Sequence, residues 1–521
     1  MDCADAPSAP ASSPAFKAIG VGSGSLLNAA SFAITVGVTF LLAPFMLRHL
    51  GDSSYGLLSV TWELGGYFGL FDLGLRSAIN YYVSRSAATR SLHDVQAVVR
   101  TAFWLLLGIT AAGLLASWPL AALAAGFIER GPLDLSTVRS ILWLGLVVFS
   151  LNLTGGLAGS VLAGLRRFDW QVLTNIAGTL ATGLLVVAAI QAGMGLFAVA
   201  FAQAVGTMLP WIAQQWILHR WQIVSGVWPP RMERRLVSQL SSYGGANLLI
   251  RICELLTFQS DQLIIVQALG PAAVAQFQIG RFLALHTRTL ISVLSMVLAP
   301  YFTTLSVTGG QKQIAQYFLR LNRWICALAA LLAAGVITLG QPFLELWVGR
   351  RYVLGDWWSR SDTVLLFFAL AMAFRALAAV PYQFLLGTRR LRFATTVLLL
   401  ESLALVGAGI FAVRWKGIAS IAILKLISSV AVSGAFAAYS LRESCISGRE
   451  YLRQSLAPGL LVGAATGAAA ASFRHWIALS NWPVFFLAAS VSAAAGGAVF
   501  VLVSTSEDRE FLLRRLRSPL G

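Results

Sequence analysis

Apolar residues dominate this chain in fourteen long stretches that are separated by short polar connections. A helix needs about 20 apolar residues to cross a bilayer, since it rises about 1.5 Å per residue. Each stretch is about that long or longer, so the pattern predicts an all-α polytopic membrane protein. The predicted spans are residues 24–47, 54–84, 98–126, 139–164, 171–193, 195–218, 242–268, 273–306, 319–347, 361–386, 393–413, 417–441, 455–473 and 482–504.

The composition excludes a soluble protein of this length. Mean hydropathy is +0.75, and charged residues make up 11% of the chain, whereas soluble domains carry roughly 25%. The net charge of +17 would suggest nucleic acid in a soluble protein. Here basic loops explain the charge, and no run of basic and aromatic residues resembles a nucleic-acid module. The sequence therefore predicts no nucleic-acid partner.

The loop charges predict how the chain crosses the membrane. With the N-terminus inside, 23 of the 38 Lys and Arg residues lie on the inner side, 9 lie outside and six lie within spans. Basic residues are retained on the cytoplasmic side of a membrane. Both termini are therefore predicted to be cytoplasmic in a multi-pass protein of the bacterial inner membrane. Residues 1–20 lack the basic start of a signal peptide and are predicted to form a disordered tail.

No motif for covalent chemistry or cofactor binding is present in the sequence. The four cysteines are far apart and form neither a CxxC motif nor a cluster with histidine. No Walker A motif, HExxH motif or nucleophile elbow occurs, so no enzyme activity, cofactor or metal site is predicted. Loops on the outer side are also short, at most about 15 residues, which leaves little room for an outer catalytic domain.

Two pairs of segments indicate an internal duplication. LRHLGDSSYGLLSV (47–60) matches VQALGPAAVAQFQI (266–279), with the glycines Gly51 and Gly270 219 residues apart. AGLRRFDW (163–170) matches LGTRRLRF (386–393), with Gly164 and Gly387 223 residues apart. Two nearly equal offsets predict a repeated unit of six helices. Because six is even, the copies share one orientation and are related by an axis along the membrane normal.

This duplication predicts the domain organisation. Two six-helix lobes are joined by a cytoplasmic linker, and two further helices follow the second lobe. The predicted boundaries are a tail at 1–20, a first lobe at 21–220, a linker at 221–241, a second lobe at 242–441 and a C-terminal pair of helices with a tail at 442–521.

Charged residues inside the predicted spans are the candidate functional residues. A charge at the centre of a bilayer costs about 2.5–3.5 kcal/mol on insertion scales, so each one requires an explanation. The basic residues are Arg76, Arg251, Arg281, Arg288, Arg375 and Lys425. The acidic residues are Glu63, Asp72, Glu254, Asp261 and Glu401.

Acidic residues of the second and seventh spans are candidates for coupling transport to an ion. Asp72, Arg76 and Asn80 follow one another at intervals of four residues on the second span. They form one polar stripe, or Asp72 and Arg76 form a local ion pair. Glu254 and Asp261 are two helical turns apart on the seventh span and are expected on one face. These two carboxylates either carry a coupling ion or pair with Arg251 or with the eighth span.

The arginines are candidates for binding an anionic substrate. Arg281 and Arg288 are seven residues apart on the eighth span, and a guanidinium fork matches phosphate oxygens. A bridge to Glu254 or Asp261 is the alternative. Arg251, Arg76 and Arg375 complete the candidate set, while Glu401 is expected to pair with Lys425 across adjacent helices. The complete candidate sets are Arg281, Arg288, Arg251, Arg76 and Arg375 for substrate binding, and Asp261, Glu254 and Asp72 for ion coupling.

Short motifs in the first lobe resemble a known family of transporters. Leu50-Gly51, Tyr55-Gly56 and Asp72-Leu73-Gly74-Leu75 within residues 42–85, and LAGLRRFDWQVLTNIAG (162–178), resemble O-antigen and oligosaccharide flippases. These belong to the multidrug/oligosaccharidyl-lipid/polysaccharide exporter superfamily. The resemblance implies two lobes around a cavity, alternating access and a lipid-linked oligosaccharide as cargo. The first span lacks the arginines that the related lipid II flippases carry there.

The sequence thus predicts a transporter that flips a polyprenyl-pyrophosphate-linked oligosaccharide for polysaccharide or lipopolysaccharide biosynthesis. Its partners would be that substrate, membrane lipids and a complex of glycan polymerase or glycosyltransferases. A drug or cation antiporter of the same superfamily is one alternative, although six basic residues outnumber five acids within the spans. A membrane-embedded polysaccharide polymerase or ligase and a non-transporting scaffold in glycan assembly are the others.

Overall fold

A computed structural model describes residues 21–504, apart from 73, 90, 129–131, 224–233, 296–297, 309 and 389. The described chain is helical and contains no β-strand. This confirms the predicted all-α class. The predicted tail at 1–20, much of the predicted linker at 221–241 and the end of the chain after 504 lie outside the described residues.

The chain divides into two compact units between Val274 and Ala275. The first unit contains α1 (Val21–Leu50), α2 (Asp52–Phe68), α3 (Leu75–Ala88), α4 (Leu92–Phe127), α5 (Leu135–Gly155), α6 (Leu157–Gly164), α7 (Phe168–Gln191), α8 (Leu196–Arg220), α9 (Arg234–Phe258) and α10 (Ser260–Leu269). The second begins within α11 (Pro271–Ser295) and contains α12 (Leu298–Thr308), α13 (Gln311–Trp347), α14 (Ser361–Leu377), α15 (Ala379–Gly387), α16 (Leu391–Lys416), α17 (Ile418–Glu443), α18 (Gly448–Tyr451), α19 (Ala457–Trp476) and α20 (Trp482–Val503).

The helices of the seventh predicted span pack within the first unit. α9 packs against α3 and α4, and α10 packs against α2. The inner core of this unit is apolar and includes Ile79, Val83, Leu106 and Val161, which are fully buried. The boundary between the two compact units therefore follows the seventh span, whereas the sequence repeat places the lobe boundary in the linker before it.

Among the described residues, eleven segments are long and apolar enough to cross a membrane. Some of these segments consist of two consecutive helices. They correspond to eleven of the fourteen predicted spans. The other three were predicted at 54–84, 242–268 and 273–306. The first two are each divided into two shorter helices, after Phe68 and at Gln259, and the third includes residues 296–297, which lie outside the described residues. These three spans contain most of the charged residues that the sequence places inside the membrane. In the first two of these spans, polar residues and helix breaks thus occur together.

The break between α2 and α3 has a local cause. Gly74 adopts a left-handed conformation with φ of 74°, which glycine tolerates because it lacks Cβ. Its N–H group donates a hydrogen bond of 2.8 Å to Oδ1 of Asp72, which closes an Asx-turn. The carboxylate also precedes α3, where the helix dipole favours a negative charge. The structure therefore replaces the continuous helix predicted at 54–84 with two helices.

The internal repeat is visible in the backbone of its two copies. Gly51 and Gly270 have nearly the same conformation, with φ, ψ of 78°, 168° and 84°, 175°. The carbonyl oxygen of Gly164 accepts a hydrogen bond from Ser84 at 2.9 Å. The carbonyl oxygen of Gly387 accepts the equivalent bond from Thr303 at 3.1 Å. Each pair of glycines found in the sequence therefore has the same structural role in both copies.

The last two long helices pack on the second unit. α19 lies along α13, and α20 packs against both of them. Close approach of α19 requires Gly459, because a Cβ atom there would lie 3.1 Å from the backbone of Cys326 on α13. The chain enters α19 through a π-helical turn, Leu452–Leu456, in which the Ser455 hydroxyl donates to the Leu319 carbonyl at 3.0 Å. The C-terminal pair of helices is thus an integral part of this unit.

Candidate functional site

The break before α3 holds Arg76 inside the first unit. Its Nε lies 3.6 Å from Oδ2 of Asp72. Its Nη2 donates to the carbonyl oxygen of Asn152 at 2.6 Å and lies 3.2 Å from Oδ1 of the same residue. Gly156 leaves room for the guanidinium, since a Cβ atom there would lie 2.6 Å from Nη2. The predicted local pair of Asp72 and Arg76 is therefore present, and α5 orients the arginine.

Arg76 lines a cavity of about 400 Å³ in the first unit, which we call the charged cavity. The turn after α2, the start of α3, the end of α5 and the second half of α9 form its walls. Its polar lining includes Asp72, Arg76, Ser77, Asn152, Arg251 and Glu254. The cavity thus brings together four of the sequence-predicted site residues, from the second and the seventh spans.

Arg251 and Glu254 are exposed within this cavity. Among the residues that the structure describes, Arg251 forms no ion pair and no hydrogen bond through its side chain. Its charge also repels that of Arg76. The charged cavity therefore contains two positive groups that converge from different helices, and only Arg76 is paired with a carboxylate there.

A second cavity of about 380 Å³ adjoins Arg76, and we call it the amide cavity. Arg76 and Asn152 line both cavities. The other amide side chains come from α3, α7 and α8, and they are Asn80, Gln171, Asn175 and Gln214. All three helices belong to predicted spans, and amide side chains are uncommon in apolar helices. Of these residues only Asn80 was predicted from the sequence, as part of a polar stripe, although four amides within apolar spans were a readable signal.

Asp261 differs from Glu254 in its surroundings. Asp261 is only 3% exposed, at the start of α10, whereas Glu254 is exposed in the charged cavity. The expectation that both share a face assumed one continuous helix, but the chain changes helix at Gln259. Near Asp261, Gln262 is fully buried and its Nε2 donates to Oε2 of Glu63 at 2.7 Å.

Tyr67 lies within the electrostatic influence of both carboxylates, of which Asp261 is buried and Glu63 half-buried. It interacts electrostatically with both Asp261 and Glu63. Glu63 belongs to α2 and Asp261 to α10, so the cluster joins the second and the seventh predicted spans within the first unit. Sequence reasoning identified Glu63 only as an intramembrane acid, because no local pattern connects it with Gln262, 199 residues away.

Arg281 and Arg288 lie on α11 in the second unit and differ in burial. Arg281 is 4% exposed, its Nε donates to Oε1 of Gln278 at 2.6 Å, and its guanidinium lies 5.6 Å from the ring centre of Phe277. Arg288 is half-buried, two turns further along the helix. Both arginines therefore lie on one helix, as predicted. Arg281 differs from Arg288 in that its guanidinium contacts Gln278 and Phe277 of the same helix.

Arg375 forms a buried ion pair. Its Nη1 lies 2.6 and 2.7 Å from the two carboxylate oxygens of Glu401, whose side chain is 2% exposed. Ser428 donates a further hydrogen bond of 3.1 Å to Glu401. The sequence analysis expected Lys425 as the partner of Glu401, but the carboxylate contacts Arg375 and Ser428. Arg375 therefore links α14 with α16 inside the second unit.

Comparison with known proteins identifies the family. The family model described as "Polysaccharide biosynthesis protein" matches residues 47–354, which is more than half of the chain. The chain belongs to this family. The matched segment contains the charged cavity and the amide cavity, together with Arg281 and Arg288. The family consists of polysaccharide flippases of the multidrug/oligosaccharidyl-lipid/polysaccharide exporter superfamily, which are transporters rather than enzymes.

Three proteins that this chain resembles match it over 82–95% of its length. The uncharacterized membrane protein EpsK of Bacillus subtilis (strain 168) is 22% identical over 520 residues, which are 95% of this chain and 97% of that protein. The lipid II flippase MurJ, in an inward closed conformation, has a TM-score of 0.68 at 11% identity, over 94% of this chain and 99% of its own. An inward-facing multidrug transporter of the superfamily has a TM-score of 0.65 at 12% identity, over 82% and 96%.

These likenesses confirm the fold of a flippase-type membrane transporter. Both solved structures are matched over nearly all of their own length. The match to the lipid II flippase also extends over more of the present chain than the match to the multidrug transporter does. At 11–12% identity, the likeness describes the arrangement of helices and carries no information about cargo.

Proposed function

We propose that the protein flips a polyprenyl-pyrophosphate-linked oligosaccharide across the inner membrane, by alternating access, for polysaccharide or lipopolysaccharide biosynthesis. The observation that carries this proposal is the convergence of Arg76 and Arg251 in the charged cavity. A charged residue within a membrane span is costly and is kept for function. Arg251 has no ion-pair partner among the described residues, so an anionic ligand would supply one.

A pyrophosphate group suits this pair of arginines. Its charge would relieve the repulsion between Arg76 and Arg251, since unlike charges attract strongly where water is scarce. Guanidinium groups bind phosphate oxygens through two parallel hydrogen bonds. Asp72 keeps Arg76 oriented through its ion pair. A cationic drug would meet both arginines in this cavity, and one of its two carboxylates, Asp72, is already paired with Arg76. This disfavours the drug antiporter alternative.

An apolar groove of about 350 Å³ in the second unit suits a prenyl chain. Leu283 of α11, Leu332 and Phe343 of α13, and Phe485 and Phe486 of α20 line it. Apolar side chains supply most of this lining, so the groove offers few hydrogen bonds to a polar ligand. Burial of a CH₂ group contributes about 0.8 kcal/mol. A groove of this kind would offer the prenyl chain an apolar surface.

Reconstituted transport tests the proposal. The purified full chain is placed in liposomes with a fluorescent polyprenyl-pyrophosphoryl N-acetylglucosamine, and a membrane-impermeant quencher reports which leaflet holds the probe. We expect the protein to accelerate exchange between leaflets at least tenfold over protein-free liposomes. Acceleration of a fluorescent phosphatidylcholine to the same extent would contradict the proposal, because it would indicate nonspecific scrambling.

We further propose that a buried carboxylate couples transport to a cation. Asp261 is the first candidate, since it is nearly inaccessible and lies beside Glu63, Gln262 and Tyr67. Glu254 and Asp72, which line the charged cavity, are the others. In the same liposomes, Asp261→Asn is expected to abolish the acceleration by a proton or sodium gradient and to leave expression unchanged. Wild-type transport that is insensitive to both gradients would refute coupling.

The charge distribution supports an orientation with both termini in the cytoplasm. Arginines are more frequent in the connections on the predicted inner side, as expected for residues that do not cross the membrane. A reporter fused after Arg351 should therefore be active outside, and one fused after Arg235 should be active inside. We also propose that the protein works beside a glycan polymerase or glycosyltransferases, which would produce and consume its cargo. Co-purification of such an enzyme with the tagged full chain would support this association.

A further inference from the structure

We propose that the amide cavity binds uncharged sugar residues of the cargo, next to the pyrophosphate in the charged cavity. This inference rests on the proposed function and assigns its two cavities to different parts of one ligand. Arg76 and Asn152 line both cavities. A ligand whose phosphate contacts Arg76 would therefore extend its first sugars into the amide cavity.

The lining of the amide cavity matches the chemistry of sugar hydroxyls. Asn80, Gln171, Asn175 and Gln214 each carry an amide that both donates and accepts hydrogen bonds. A sugar hydroxyl also donates and accepts, so neighbouring hydroxyls pair well with amides. Among the described lining residues, Arg76 is the only charged one. A carboxylate to attract a cation is thus lacking from the described lining, which favours an uncharged polar ligand.

Glycines on α5 and α6 provide the space for this ligand. A Cβ atom on Gly155 would lie 2.7 Å from the indole ring of Trp211. A Cβ atom on Gly159 would lie 3.1 Å from Oε1 of Gln214. The missing side chains allow Trp211 and Gln214 to approach the cavity wall. The resulting volume of about 380 Å³ falls within the usual range for small-molecule sites, about 300–1,000 Å³.

Part of the lining is ordered before any ligand binds. Gln214 is only 3% exposed, and its Nε2 donates to Oγ1 of Thr174 at 2.9 Å and to Oδ1 of Asn175 at 3.3 Å. These bonds orient the Asn175 amide so that its nitrogen remains a donor. Side chains that are already held in place lose less conformational freedom on binding. The arrangement is that of a preformed polar site rather than of a flexible water-filled entrance.

The cavity lies near the end of the unit where the substrate would enter. Gln171 and Asn175 are in the first two turns of α7, directly after the Arg166-Arg167 turn. This turn is predicted to be cytoplasmic from the loop charges. A glycan linked to lipid on the cytoplasmic side would therefore enter the amide cavity first. Its phosphate would contact Arg76, which lines both cavities.

Binding measurements on two matched ligands test the inference. The purified full chain in nanodiscs is titrated with citronellyl pyrophosphate and with citronellyl pyrophosphoryl N-acetylglucosamine. We expect the wild type to bind the glycosylated ligand about tenfold more tightly, since two or three new hydrogen bonds of ordinary strength give at least that factor. The double variant Asn80→Leu/Gln171→Leu should lose this preference and bind citronellyl pyrophosphate unchanged.

Two further variants keep the result interpretable. Thr179→Ala lies one turn beyond Asn175 on α7, where the hydroxyl contacts only the Asn175 carbonyl, and it should retain the wild-type preference. If the double variant does not fold, Asn175→Ala should show the same loss. Equal binding of both ligands by the wild type would overturn the sugar site and leave the proposed function intact. Failure of the wild type to bind either ligand would overturn the proposed function itself.

Discussion

Replacement of Arg251 by alanine is expected to reduce transport of the lipid-linked glycan by about 10- to 100-fold. Hydrogen bonds to charged groups contribute about 1.5–3 kcal/mol each, and 1.4 kcal/mol corresponds to a factor of ten. Arg251 is exposed in the charged cavity and has no ion-pair partner among the described residues. Its loss should therefore remove ligand binding without removing a contact that stabilises the fold. Flipping in liposomes and thermal unfolding of the same preparations measure both effects.

Two further substitutions separate the role of charge from that of geometry at this site. Arg251→Lys retains the charge but lacks the planar fork, so we expect transport between that of the wild type and that of Arg251→Ala. Arg85→Ala removes an exposed arginine in the last turn of α3, outside the charged cavity, and should transport normally. Wild-type transport by Arg251→Ala would mean that this arginine does not bind the substrate.

The second large effect is expected at Arg375, and it is a loss of stability. Arg375→Ala leaves the carboxylate of Glu401 buried without its cation, and removing one partner of a buried ion pair costs about 3–5 kcal/mol. We therefore expect a clearly lower unfolding temperature in detergent and a lower amount of folded protein. The double variant Arg375→Met/Glu401→Leu should recover most of that stability, because it leaves neither partner of this pair as an unpaired buried charge.

This experiment distinguishes the two roles that Arg375 could have. A binding arginine would lose transport in both the single and the double variant, with little change in the unfolding temperature. A structural arginine would lose stability in the single variant and regain both stability and transport in the double one. We expect the second outcome, because both carboxylate oxygens and Ser428 already complete the polar contacts of this pair.

Most of the fold could be predicted from the sequence because membrane helices obey a simple rule. A span must be long and apolar, since backbone groups cannot be left unsatisfied in lipid. Eleven predicted spans are confirmed as long apolar helices or near-continuous helix pairs. The exceptions are the spans that contain most of the intramembrane charges. In the span predicted at 54–84, Gly74 and the Asp72 side chain form a turn between two helices. The mean hydropathy of about twenty residues does not reveal such a local turn.

The charged residues of the candidate site could be predicted from the sequence, but which of them lie together in one cavity could not. Asp72, Arg76, Arg251 and Glu254 were all identified as costly charges, and they line one cavity. Their assembly depends on α9 packing against α3, a contact between segments far apart in the chain. Glu63 with Gln262, and the amides around Gln214, were missed for the same reason.

The sequence alone determined that this chain is an all-α membrane transporter with an internal repeat, because hydropathy and repeated motifs are properties of contiguous residues. Gly51 with Gly270, and Gly164 with Gly387, occupy the same structural positions in the two copies of the repeat. Only the tertiary structure decided which charges face a cavity and which are paired. Whether a charge is paired depends on which residue of another helix lies within a few ångströms of it, as Glu401 does for Arg375. The spacing of residues along one helix does not carry this information.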